Sequence, residues 1–404
     1  MSENLSNYVT RECEPFMDKI MPGHPIMVVS GPRQCGKTTL IQEKFPSLPF
    51  VDLEDVKMQD FVRQDPVAFV KSYLETGAIF DEFQHVPEIT KALKVVADEI
   101  IYQHRKYKST SRSARFILSG SHDYMISQES QESMIGRSST LHLPPFTVAE
   151  SGETELAALM FKGGYPEIHV EKTDASVFFR KYLNEFLTRE VKNIHKIQDL
   201  KKFLSFMTIL ANSIGSIINP VSISEQLGVL LEDIRKWLII LEASFIIFAA
   251  TPYHNSFMKR LVKRPKYYFY DTGLLSYLLD LRAQKDIQDK NCKGPLFENF
   301  VIAETKKNFT NTGEYDKAMY FWNIEKDPES DEKPYEIDLL LSSAGMLHAI
   351  EIKSSDILNL HWFSGGTKLS KLTNVTKYVI YTGPTQETKQ GLALNWRDLG
   401  RLVR

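Results

Sequence analysis

Short apolar runs separated by polar, helix-compatible stretches set the rhythm of the first part of the chain. Ile26-Met-Val-Val29 is followed by a helical segment through Leu40 to Phe45 and a short run at Phe50-Val-Asp52. Gly77-Ala-Ile-Phe-Asp81-Glu82, Phe116-Ile-Leu-Ser119-Gly-Ser121 and Ser139 to Leu143 come next. Continuous apolar runs of this kind predict strands buried on both faces. Their alternation with helical segments across Ile26 to Leu143 predicts an α/β parallel sheet, with ligand at the carboxyl ends of the strands.

The pattern changes after Gly163-Gly-Tyr-Pro166-Glu167, a turn cluster that breaks the chain and puts a boundary near residue 150. A helical stretch from Asp174 to Ile214 carries Phe178, Tyr182, Phe186 and Arg189 at helical spacing, which reads as core packing. Ser222 to Gly228 and Leu231 to Glu242 read as two helices joined by a tight turn. With the strand-like runs Phe245 to Ala250 and Lys266 to Tyr270 they make a winged helix. Its second helix offers Glu232, Asp233, Arg235 and Lys236, a mixed face better suited to packing than to phosphate. Further on, Glu336 to Leu341, a turn at Gly345 and Ala349 to Lys353 read as a β-hairpin. The expected division is 1–150, 151–275 and 276–404.

Bulk properties narrow the class. A chain of 404 residues exceeds one compact core, and its 43% hydrophobic and 25% charged content is that of an ordinary globular protein. Met1 to Lys19 is acidic without an apolar core, and no later stretch reaches membrane-spanning length free of charge. A cytoplasmic protein without a membrane partner is expected. Cys13, Cys35 and Cys292 have neither metal-ligand spacing nor the makings of a disulfide framework. A net charge of -2 gives no global attraction to nucleic acid, so DNA binding would need local patches. Lys259, Arg260, Lys263, Arg264 and Lys266 flank Tyr267, Tyr268 and Phe269, aromatics that either stack on bases or form a strand core. A second basic run, His104 to Lys108 with Arg112 and Arg115, either lines a pore or coats a loop.

The chemistry begins at Gly31-Pro32-Arg33-Gln34-Cys35-Gly36-Lys37-Thr38, between a predicted strand and a predicted helix. In that context the two glycines let successive N–H groups curl around phosphates, and the helix N-terminus adds its positive end. The loop, continued by Thr39, is thus an ATP site. Lys37 reaches the β- and γ-phosphates, and the Thr38 hydroxyl ligates Mg²⁺. Asp81-Glu82 closes an apolar strand as a Walker B element. There Asp81 serves the Mg²⁺ shell and Glu82 polarises the attacking water. Ser119, with Ser121 in reserve, is the candidate sensor of the γ-phosphate. Arg137, just before the last strand, is either a finger for a neighbouring subunit's site or a surface arginine capping a helix. In the hairpin, Asp338, Glu351 and Lys353 converge, and Glu298 on the preceding helix adds a carboxylate. Asp338, Glu351 and Glu298 are candidate metal ligands, with Lys353 positioning water. An E-x-K on a strand is equally a surface salt-bridge pattern.

The motifs GPRQCGKTT, VDLED, IFDEFQ, ILSGS, IGRSS, GGYPE and KRPKYYFYDTGLL occur in that order. The set resembles the prokaryotic AAA-type ATPases fused to a restriction-endonuclease-like C-terminal domain. The resemblance runs from Tyr8 to the neighbourhood of Lys371. It implies an AAA-like core, a helical and winged-helix segment, and a nuclease-like domain whose Asp, Glu-x-Lys signature falls on Asp338, Glu351 and Lys353. Ile337 stands where that signature has proline. The leading expectation is a homo-oligomeric ATPase acting on DNA. The alternative is a nucleotide switch controlling a protein partner, with an inactive nuclease-like domain.

Overall fold

The computed structural model describes residues 8–107, 115–121, 134–253, 264–290, 292–315, 317–324, 335–343 and 345–403. Two compact units emerge. One comprises Met1–Phe146, Ala243–Phe245 and Thr310–Gly313; the other comprises Thr147–Glu242, Ile246–Phe309 and Glu314–Arg404.

In the first unit, β1 (Ile26–Ser30), β2 (Phe50–Asp52), β3 (Ala78–Asp81), β4 (Phe116–Gly120) and β5 (Ser138–His142) form one sheet. The order is β2-β3-β4-β1-β5, and every pairing is parallel. Successive side chains on a strand point to opposite faces. Ile26, Val28, Phe80, Phe116 and Leu118 accordingly pack with Leu93 and Val96 on one side. Met27, Val29, Ile79, Ile117 and Leu141 pack with Leu40 and Ile41 on the other. This two-sided burial is why the central strands β1, β3 and β4 read as apolar runs, whereas the edge strands β2 and β5 alternate.

In the second unit, β6 (Ile247–Pro252), β7 (Lys266–Phe269), β8 (Met319–Ile324), β9 (Tyr335–Ser343), β10 (Met346–Lys353), β11 (Val375–Tyr381), β12 (Gln386–Glu387) and β13 (Leu392–Asn395) form one mixed sheet. The order is β12-β13-β11-β10-β9-β8-β6-β7. Helices Pro220–Leu227 and Leu231–Ala243 and the antiparallel β6–β7 hairpin follow the expected order of elements. The hairpin is not a free wing, however. Thr251 and Pro252 of β6 run parallel to Tyr320 and Phe321 of β8, so the hairpin forms one edge of the sheet that carries the C-terminal residues. An edge strand leaves N–H and C=O groups unpaired, and pairing with β8 satisfies them. The helical stretch expected from Asp174 to Ile214 is also divided. It comprises Ala175–Glu185, a wider coil over Phe186–Ile194, and Leu200–Asn212. The wider coil ends where the His195 N–H donates to the Glu190 carbonyl, five residues back.

Candidate functional site

Gly36 takes a left-handed φ of 95° and caps the helix Lys37–Lys44, a backbone that glycine adopts without a Cβ penalty. Gly31 lies so close to the next segment that a Cβ there would stand 2.2 Å from the Leu143 carbonyl oxygen. Between them Pro32 is buried, Arg33 and Gln34 are half-buried, and Thr39 is exposed on the helix. Cys35 is fully buried and its thiol donates to the Leu143 carbonyl at 3.3 Å, so its side chain serves packing. Burial pushes that thiol's pKa up. Lys37 is buried, and its Nζ donates to the Gly31 and Pro32 carbonyls at 2.9 and 2.8 Å. The ammonium therefore lies over the loop that frames a phosphate.

The sequence carries no signal of a role for Arg11. Its guanidinium is buried over the Phe146 ring and donates to the Cys35 carbonyl at 2.9 Å and the Pro144 carbonyl at 2.7 Å. It thus ties the loop to the segment after β5. A single arginine before a helix gives no local signal of this.

The strand order brings the remaining groups together. β1 runs into the phosphate loop, β3 ends at Asp81, and β4, between them, carries Ser119. Thr38 Oγ1 donates to Asp81 Oδ2 at 2.9 Å, and Ser119 Oγ donates to Asp81 Oδ1. Burial pushes the Asp81 pKa up, Glu82 adds to the rise, and the hydroxyl bonds oppose it. Hydroxyl and carboxylate oxygens are the hard donors that Mg²⁺ takes, so Thr38 and Asp81 fit the role expected of them. Glu82 sits at a left-handed φ of 51°, and its carboxylate accepts from Gln84 Nε2, which also reaches Ser121 Oγ at 3.3 Å. Gln84 is a second residue without a motif-level role in the sequence, where its place two residues after Glu82 is its one signal.

Arg137 belongs to a different part of the unit. It immediately precedes β5, at the amino end of the parallel strands, and its carbonyl accepts from the Ile26 N–H. Its guanidinium forms a two-pronged ion pair with Asp98, at 2.6 and 3.0 Å. That hydrogen bonding holds the Asp98 pKa down.

The second unit gathers the hairpin residues. β9 and β10 pair antiparallel as far as Ile350 opposite Leu339. The Asp338 carboxylate then accepts from the Ile352 N–H at 2.8 Å. Lys353 Nζ lies 2.7 Å from Glu351 and 3.5 Å from Asp338. Where β9 meets β8 the register shifts: Tyr320 faces Leu340, whereas Trp322 faces Ile337. β9 thus carries one extra residue across this step, and such bulges re-aim a side chain. Glu298 comes from helix Lys293–Asn311 and accepts from the Tyr268 hydroxyl at 2.7 Å. Burial, then the charge of Asp338, pushes the Glu298 and Glu351 pKa values up. Burial disfavours the Lys353 cation, but Asp338 and Glu351 outweigh it and hold the Lys353 pKa up. Among the described residues no group of three or more His, Cys, Asp or Glu side chains is arranged to hold a metal ion. The hairpin cluster is therefore a carboxylate pair closed by a lysine, with Glu298 as an electrostatic neighbour.

The basic patches lose much of their proposed use. Lys108 and Arg112, and Lys259, Arg260 and Lys263, lie outside the described residues. Lys266 is buried, lies over the Phe321 ring and is paired with Glu336. Tyr268 and Phe269 are fully buried, and Phe269 exchanges backbone hydrogen bonds with the Asn299 side chain. The alternative in which these two aromatics form strand core is the correct one, because β7, although an edge strand, packs both rings into the second unit's hydrophobic core.

Residues 23–152 match the family model described as an AAA domain. Together with the parallel sheet and the phosphate loop, this makes the segment an AAA-type P-loop ATPase domain, and the protein an ATP hydrolase. Residues 153–285 and 293–399 match two domains of unknown function, DUF8612 and DUF4143. An uncharacterized protein of Mycobacterium tuberculosis is 25% identical over 331 residues, spanning 81% of this chain and 70% of the relative. One of Haemophilus influenzae is 21% identical over 280 residues, spanning 62% and 68%. Among solved structures, the Walker-type ATPase PabY2304 of Pyrococcus abyssi aligns at a TM-score of 0.44 with 12% identity, covering 68% of this chain and 97% of its own. Among the described residues no helix is long and apolar enough to cross a membrane.

Proposed function

We propose that ATP hydrolysis in the first unit serves DNA that the second unit binds or cuts at Asp338, Glu351 and Lys353. The observation that carries this is the lysine closing two partly buried carboxylates at a strand bulge, a costly arrangement for a purely structural surface pair. In the first unit Lys37 and the loop backbone bind the phosphates, and Glu82 directs water at the γ-phosphorus. Ser119 keeps Asp81 oriented. Mg²⁺, held by Thr38 and Asp81, would neutralise charge on the β- and γ-phosphate oxygens. In the second unit Asp338 and Glu351 would hold a divalent cation that activates water and stabilises phosphodiester charge. Lys353, poised against both carboxylates, would orient that water.

The test offers the purified chain single-stranded, duplex and branched DNA with Mg²⁺ or Mn²⁺, with and without ATP. Cleavage is expected, with loss in Asp338→Ala and Lys353→Ala while ATPase activity persists. Absence of cleavage and of calorimetric metal binding across the panel rejects the nuclease reading. Burial of Tyr268 and Phe269 removes two stacking aromatics and favours a second reading, a nucleotide switch acting on a protein partner. ATP turnover unchanged by any of these DNA forms would support it.

A further inference from the structure

Gln84 stands out among groups near the ATPase site because its amide joins the residues that directly follow two neighbouring strands, Glu82 after β3 and Ser121 after β4. It follows β3 by three positions, in the short turn Phe83–His85. Its Nε2 donates to the Glu82 carboxylate and reaches Ser121 Oγ at 3.3 Å, just beyond β4. Its Oε1 is buried with no protein donor among the described residues. The amide is also wedged in place: a Cβ on Gly120 would come within 2.7 Å of Gln84 Oε1 and 3.0 Å of the Phe83 ring. Glu82 itself takes a left-handed φ, which a non-glycine residue keeps only when its surroundings enforce it.

We infer that Gln84 is a positioning residue for ATP hydrolysis: its amide fixes the Glu82 carboxylate and references it to Ser121, just beyond the neighbouring strand β4. A water-directing carboxylate on a left-handed turn has several rotamers. Misplacement by about 1 Å costs on the order of a hundredfold in rate. One amide donor shared between Glu82 and Ser121 removes that freedom while leaving the other carboxylate oxygen for water. Among the described residues the hydrogen bonds of the Gln84 amide go to Glu82 and Ser121, so its effect belongs to turnover and not to nucleotide affinity.

The inference rests on Glu82 being the water-directing residue, so the experiment tests both. Steady-state kinetics and ATP affinity are measured for the full chain, Glu82→Gln, Gln84→Met, Gln84→Asn and the double variant Glu82→Gln/Gln84→Met. Methionine matches glutamine in length without donating. The expectation for Gln84→Met is a kcat loss of about tenfold to a hundredfold with KM and ATP affinity within twofold. Gln84→Asn, which keeps a donor, should recover part of the loss. In the Glu82→Gln background the second substitution should cost nothing further, because Gln84 acts through Glu82. Unimpaired turnover in Glu82→Gln would overturn the Glu82 assignment itself. Loss in Glu82→Gln with normal turnover in Gln84→Met would overturn the role of Gln84 alone. Additive losses in the double variant, or a fall in Gln84→Met traced to weaker ATP binding, would also reject it.

Discussion

Glu242, near the end of helix Leu231–Ala243, shows how one residue's environment sets a measurable property. Burial alone pushes its pKa from 4.5 up to about 7. Below pH 4.5 folded and unfolded chains both carry the proton. Between 4.5 and 7 the unfolded chain ionises first, so stability falls with rising pH and then levels off. At 1.36 kcal/mol per pH unit the fall is at most about 3 kcal/mol. Glu242→Gln should therefore match the parent at about pH 4 and exceed it increasingly up to about pH 7, by up to that amount. Urea unfolding at several pH values checks this; a pH-independent difference would remove the buried carboxyl as its source. None of this was legible in the sequence, where Glu242 reads as an ordinary helix-end acid.

At the scale of elements, the motifs GGYPE and YDTGLL acquire a physical meaning that spacing did not give. Asp271 is fully buried, caps helix Thr272–Leu278 through the Leu274 N–H, and accepts from the Gly164 N–H at 2.6 Å. Ser276 and Thr272 donate to the carbonyls of Met160 and Leu159, at the end of helix Leu156–Lys162. A Cβ on Gly163, at φ 69°, would stand 2.2 Å from Asp271 Oδ1, and one on Gly273 would stand 2.4 Å from the Lys162 carbonyl oxygen. The two motifs are thus a side-chain-to-backbone lock between helices distant in sequence. Gly163→Ala should destabilise the protein by about 1–3 kcal/mol or more, from overpacking and left-handed strain together. A thermal melt within a degree of the parent would contradict the lock. The central strands β1, β3 and β4 are legible in the sequence because each is short, largely apolar and buried on both faces, whereas the edge strands β2 and β5 alternate. The hairpin β6–β7 was assigned to a wing because its pairing with β8 joins residues remote in sequence, and no local pattern encodes such a partner.

For the whole molecule the questions concern partners. Arg137 is bound to Asp98, an ion pair with side chains 21% and 51% exposed, and such surface pairs contribute about 0–1 kcal/mol. That is small enough for the guanidinium to exchange Asp98 for a phosphate on another copy, as the trans proposal requires. Mixing Arg137→Ala with Lys37→Ala chains should restore part of the ATPase activity that each lacks. No restoration, with light scattering giving a monomer in ATP, would leave Arg137 a local ion pair. DNA affinity, with a net charge of -2 on the chain, must come from local cations and should fall steeply with salt. Each phosphate contact removed by substituting Lys259, Arg260, Lys263 or Arg264 should flatten the log–log slope by about 0.7 to 0.9. An unchanged slope would exclude that run as the DNA contact.

By itself the sequence determined the phosphate loop, the Asp81-Glu82 strand end and the parallel α/β core, because all three depend on neighbours along the chain: glycines at a turn, apolar runs, acids at a strand end. It also determined that Asp338, Glu351 and Lys353 share one hairpin, since period-two alternation and antiparallel pairing are local rules. Tertiary structure alone decided that Arg11 ties the loop to Pro144, that Gln84 bonds both Glu82 and Ser121, and that Arg137 pairs with Asp98. It also withdrew Lys266, Tyr268 and Phe269 from the surface. The physical reason is common to all of these: hydrogen bonding and burial depend on which strand lies beside which, and strand order is fixed by contacts between residues far apart in the chain.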